Sequence, residues 1–103
     1  MIETVTRKRI EIVADTPIIP RIVKLIKQCN ISGWSLIHVD AGGGRGGEWQ
    51  HDEVTGAAAK TVILLIANET KATALIEIIS PLLTRYGLLL TMGEVEVVRG
   101  ERF

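Results

Sequence analysis

The run "KTVILLIA", residues 60–67, narrows the possible folds of this chain more than any other stretch. It is apolar at nearly every position, and it is far shorter than the roughly 20 residues a helix needs to span a bilayer. Such a run reads as a strand with both faces buried. A sheet that contains it needs cover on both sides.

The elements around that strand alternate. "VTRKRIEIVAD", Val5 to Asp15, ends in β-branched alternation and is a strand. Thr16 is a candidate helix cap, with Pro17 and Pro20 in the first turn, where a missing N–H has no intrahelical carbonyl to lose. Ile19, Ile22, Val23 and Ile26 then recur at helical spacing, with Lys24 and Lys27 on the other side, and the helix should stop near Asn30. "GWSLIHV" from Gly33 is a second strand. After the strand at Lys60, Asn68 and Thr70 are cap candidates. Leu75, Ile78, Ile79, Leu82 and Tyr86 form a second helical stripe, which Gly87 closes. Pro81 is expected to kink or divide that helix. "LLLTMGEVEVV" is a last strand, with a bend or bulge expected at Gly93 and Val95 and Val97 alternating against Glu94 and Glu96.

The order β-α-β-β-α-β is the ferredoxin-like, α+β plan: a four-stranded antiparallel sheet with two helices on one face. Because several strands carry apolar residues on both sides, the other face is expected to be covered by a copy of the chain in a closed homo-oligomer. At 103 residues, 47% of them hydrophobic, residues 1–103 are read as one domain. Twelve basic residues balance twelve acidic ones, which argues against a general grip on nucleic acid or an anionic membrane. A single cysteine, Cys29, and no basic and apolar leader give the cytoplasm as the expected compartment, with Cys29 a packed thiol.

Between the second and third strands lies "DAGGGRGGEWQHDEVTG", within a connection spanning about residues 40–58. Its glycines let backbone N–H groups approach an anion without a Cβ in the way, and Arg45 adds a fork of charge-assisted donors. The same cluster also reads as a flexible loop with an exposed arginine. Trp49 is either an anchor for a protein partner or a ring folded over an apolar patch. His38 and His51, with Asp40, Asp52 or Glu53, have no regular spacing, so no metal is expected. The basic cluster from Thr6 to Glu11 reads as a solvated edge of the first strand.

"ISGWSLIHVDAGGGRGG" resembles the stretch of the PII signalling family in which an Ile-Thr-Gly-Met-Thr-Val strand is followed by a Gly-Phe-Gly-Arg turn opening the long T-loop. The close match covers about seventeen residues; the element order matches along the whole chain. Members are homotrimers that bind adenine nucleotides in clefts between neighbours and dock on transporters or enzymes through the T-loop. The resemblance implies a nucleotide site at Gly33, Trp34, Ser35, Gly42, Gly43, Gly44, Arg45 and Gly87, with Ser35 in place of an adenine-contacting threonine. Trp34 also suits core or inter-subunit packing.

Departures from the family pattern shape the expected ligand. Gly46 replaces the glutamine that helps hold magnesium-ATP and 2-oxoglutarate. "TRYGLLLTMG" keeps Gly87 of the family's B-loop but lacks its phosphate-binding lysine. Glu96 and Val98 occupy the registers of two phosphate-facing arginines, leaving Arg99 and Arg102 as candidates just beyond. The loop is short and has no tyrosine to accept a uridylyl group. This pattern resembles diverged members associated with bicarbonate transporters and carboxysomes. It implies ADP or AMP as ligand, with or without bicarbonate, no other cofactor, and a partner in bicarbonate uptake. The alternatives are another ferredoxin-like regulatory domain sensing amino acids or metals, and a small phosphate-handling enzyme. The enzyme lacks a visibly paired nucleophile and base, so a non-enzymatic role is expected.

Overall fold

The computed structural model describes residues 2–44, 47–50 and 59–99, with residues 49 and 50 as backbone only. Strand β1 (Thr4–Asp15) leads through a 3-10 turn (Thr16–Ile18) into helix α1 (Ile19–Gln28) and strand β2 (Trp34–Val39). A hairpin of β3 (Ala41–Gly44) and β4 (Gly47–Gln50) precedes β5 (Lys60–Ala67), α2 (Glu69–Arg85) and β6 (Leu89–Val98). The main sheet has the order β2-β5-β1-β6, antiparallel throughout, which is the ferredoxin-like arrangement expected from the element order.

Paired residues in an antiparallel ladder point to one face. Ile10 pairs with Leu65, Ile12 with Ile63 and Ala14 with Thr61, and all six are buried. Ile19, Ile22 and Ile26 of α1 and Ala72, Leu75 and Ile79 of α2 close over them as one core. The intervening residues, among them Val13, Val62, Leu64 and Ile66, face the other side of the sheet, where no described element covers them.

Both helices end in the same way. Asn30 (φ 58°) and Gly87 (φ 63°) adopt the left-handed conformation one residue past each helix cap. The next residue then bonds to the carbonyl five residues back, Ile31 N–H to Ile26 O at 3.3 Å and Leu88 N–H to Leu83 O at 3.0 Å. At the start of α2, Asn68 Oδ1 accepts the N–H of Lys71 at 2.9 Å, so Asn68 rather than Thr70 is the cap.

Several expectations are corrected. Thr16 does not cap α1; it opens the 3-10 turn, and its hydroxyl shares a hydrogen bond of 2.8 Å with that of buried Thr61. Helix α2 runs undivided through Pro81. The β1–β6 register passes Gly93 without a slip, placing it opposite Arg9, so there is no bulge. Glycine there only leaves space: a Cβ would meet nothing within 4 Å. The cluster from Thr6 to Glu11 is not on an edge strand, because β1 lies between β5 and β6 from Lys8 onward. Part of the expected 40–58 loop is the β3–β4 hairpin. Glycines have low strand propensity, yet the ladder needs only their backbone groups.

Candidate functional site

Antiparallel pairing decides which residues meet at each end of the sheet. Asp15 faces Lys60, and Lys60 faces Val39, so the end of β1, the start of β5 and the end of β2 converge where the glycine hairpin begins. Leu89 pairs with Val13, bringing the Tyr86–Gly87 corner to the same end. The glycines Gly42, Gly43 and Gly44 pair with Trp49, Glu48 and Gly47, and Gly47 takes φ 108°, a conformation only glycine adopts easily. Arg45, His51, Asp52, Glu53 and Arg102 lie outside the described residues.

Beside the hairpin end is an open cavity of about 240 Å³ lined by Asp15, Pro17, Ile18 and Tyr86. Lys60 Nζ donates to Asp15 at its rim. Arg21 donates to the Tyr86 hydroxyl at 2.6 Å, and the Arg21 and Arg85 guanidinium groups lie 5.8 and 5.6 Å from the centre of the Tyr86 ring. A cation at that distance interacts favourably with the ring face. None of this arrangement was read from the sequence beyond Tyr86 as a helix-stripe residue. The signal that would have found it is the antiparallel register, which sets Asp15 against Lys60.

The other candidates are dispersed. Ser35 pairs with Leu64 and faces the uncovered side of the sheet. Trp34 points the opposite way, half-buried against the core with Lys27 Nζ 5.9 Å from the centre of its ring. Gly33, whose carbonyl accepts the Ile66 N–H at 3.0 Å, immediately precedes β2 at the end remote from the hairpin. Arg99 follows Val98, which pairs with Thr4, so it also lies at the remote end, with φ 64°. The length of β6 separates it from Gly87 by roughly 30 Å at about 3.4 Å per residue.

Two groups have displaced titrations. A hydrogen bond of 2.9 Å to Glu94 raises Lys8 above its ordinary value against the opposing effect of burial, and the charges of Glu94 and Glu69 add to the rise. Burial pushes the Cys29 thiol up, as suits a packed thiol. Among the described residues, no three His, Cys, Asp or Glu side chains cluster as a metal site, and no helix is long and apolar enough to cross a membrane.

The model of a family described as nitrogen regulatory protein P-II matches residues 7–102. The chain belongs to the P-II family. The P-II chain superposes on CPII, a nitrogen regulatory PII-like protein from Thiomonas intermedia K12 bound to ADP, AMP and bicarbonate. The TM-score is 0.90 at 18% identity, over 100% of this chain and 98% of that one. A protein from Thermus thermophilus described as a putative PII-like signalling protein gives 0.82 at 22% identity over 98% of both chains. B. subtilis GlnK, in its ATP complex, gives 0.63 at 10% identity over 87% and 82%. At these identities the superpositions establish the fold. No curated protein matches the chain.

Proposed function

We propose that this P-II chain is a single-domain cytoplasmic sensor that assembles as a homotrimer and binds ADP or AMP, with or without bicarbonate, in clefts between copies. The observation that carries the reading is the separation of its candidate anion groups. The glycine hairpin and Gly87 stand at one end of the sheet and Arg99 at the other, roughly 30 Å away. No nucleotide spans that distance, so one copy's hairpin end and a neighbour's carboxyl-terminal end must meet for both to contact one ligand. The ligands in the CPII structure, ADP, AMP and bicarbonate, support this choice of chemistry.

Signalling then runs through the hairpin. A ligand shifts the segment from Asp40 to Ala58 only by binding one of its states more tightly. Contacts from Arg45 and the glycine N–H groups to phosphate therefore form mainly in the ordered state, in which Trp49 is presented to a partner. A bicarbonate transporter or carboxysome protein is the partner class in this reading, and the protein binds its nucleotide without turning it over.

Titration calorimetry with AMP, ADP, ATP and cyclic AMP, with and without bicarbonate and alongside a mass measurement of the assembly, tests the proposal. ADP or AMP is expected to bind. Arg45→Ala is expected to weaken that binding by about 1.5 to 3 kcal/mol through loss of a charge-assisted contact. An assembly that ignores every nucleotide would remove the reading.

A further inference from the structure

The uncovered face of the sheet is largely aliphatic, with Arg7, Ser35 and Thr91 set into it and the Asp15–Lys60 ion pair at its hairpin end. Ile37, Val39, Val62, Leu64, Ile66, Val13, Leu89, Val95 and Val97 share it by register, and Ile37 and Leu89 are 48% and 60% exposed. Four strands about 4.8 Å apart and eight residues at about 3.3 Å each give a face of roughly 500 Å², a size that marks an interaction surface. Near the middle of this face lies a second ion pair, Arg9 Nη2 to Glu11 Oε1 at 2.6 Å, with side chains 42% and 38% exposed. Arg9 stands between Ile66 and Gly93 across the ladder, and Glu11 between Leu64 and Thr91. Because a Cβ at Gly93 would meet nothing within 4 Å, there is an opening beside the guanidinium.

We infer that the Arg9–Glu11 pair is the register lock of self-association: on assembly, Arg9 of one copy also donates to Glu11 of the next. This rests on the proposed homo-oligomer and adds what selects its geometry. An apolar face by itself tolerates sliding, because a shift of one strand or two residues exchanges one aliphatic contact for another. Charges taken out of water permit no such slide, since each must meet its complement or stay desolvated at large cost. The intrachain contact uses one nitrogen and one oxygen, while a guanidinium carries five N–H donors and a carboxylate two oxygens. Every copy supplies both signs, so a closed ring of copies satisfies all of them without an extra partner. A second copy of the chain is therefore the occupant whose charge pattern this face fits.

The test compares the masses and dissociation constants of the wild type, Arg9→Leu, Glu11→Leu, the double variant R9L/E11L and the neutral polar double variant R9Q/E11Q, with thermal unfolding of each. The wild type is expected to give one mass. Each single leucine variant leaves a lone charge in the interface and should raise the dissociation constant on the order of 100-fold or more. R9L/E11L should assemble into a mixture of masses, and R9Q/E11Q should keep one mass with at least tenfold weaker assembly. The lock is overturned if R9L/E11L gives the single wild-type mass, or if R9Q/E11Q assembles as tightly as the wild type. A monomeric wild type would instead overturn the homo-oligomer, and with it the lock.

Discussion

The two faces of one sheet are made from neighbouring residues of the same strands, yet they do different work. In β5, Ile63 and Leu65 lie against α1 and α2 with 0% and 1% exposure, while their chain neighbours Val62, Leu64 and Ile66 stay partly in water. The covered face is finished within one chain, so its apolar area contributes to folding. On the open face no element among the described residues covers the same kind of side chain, so in the proposed assembly its hydrophobic stabilisation is left for association. Hydrophobicity in a strand thus fixes that a face will be buried, and topology determines by what.

Paired truncations in β5 would break this comparison most directly. Ile63→Ala is expected to lower unfolding stability by about 2 to 5 kcal/mol, from lost burial and the cavity left behind. Leu64→Ala should leave folding of the isolated chain nearly unchanged and weaken self-association by roughly 1 to 2 kcal/mol. Urea unfolding and a concentration series of masses separate the two effects, and equal effects of both substitutions on folding would erase the distinction between faces.

The helix caps sharpen it further, because they hold the cover of one face only. Asn68→Ala removes the acceptor of the Lys71 N–H and should destabilise folding by about 1 kcal/mol. Gly87→Ala places a Cβ at φ 63° and is expected to lose about 1 kcal/mol as well. In both variants, denaturant midpoints should fall while the assembly's mass is kept.

The smallest effect concerns Lys8, on the covered side but beyond the buried core. Its folded pKa is raised above the ordinary 10.5 by the hydrogen bond to Glu94. A cation stabilised in the folded state contributes fully below its unfolded pKa and loses that contribution as pH rises through the folded value. The stability advantage of wild type over Lys8→Met should therefore be full below pH 10.5 and be lost as pH rises from there through the raised folded value. An advantage unchanged through the alkaline range, followed by circular dichroism, would contradict the assignment.

Much of this fold is legible where the signal is local. The alternation in β1, the continuous apolar run of β5, the stripe at Ile19, Ile22 and Ile26, and Gly87 as a helix stop all express periods or backbone preferences carried by adjacent residues. The β3–β4 hairpin is not legible in that way, since its ladder is made by the backbone groups of glycines with little strand preference. Gly93 has the composition of a bulge, but continuous pairing with β1 overrides it. The glycine turn of the candidate site was readable. Its neighbours Asp15, Lys60, Arg21 and Tyr86 meet only through strand register and the return of α2, which single-chain spacing does not encode.

By itself the sequence determined the four strands of the main sheet, the two helices and the apolar residues on both faces of β5, because side-chain period follows backbone geometry over a few residues. Only the tertiary structure decided which face the helices cover, and which ends of the sheet hold the hairpin and Arg99. Those depend on pairings between residues far apart in the chain, whose energies are shared among many contacts and appear only when the strands are in place.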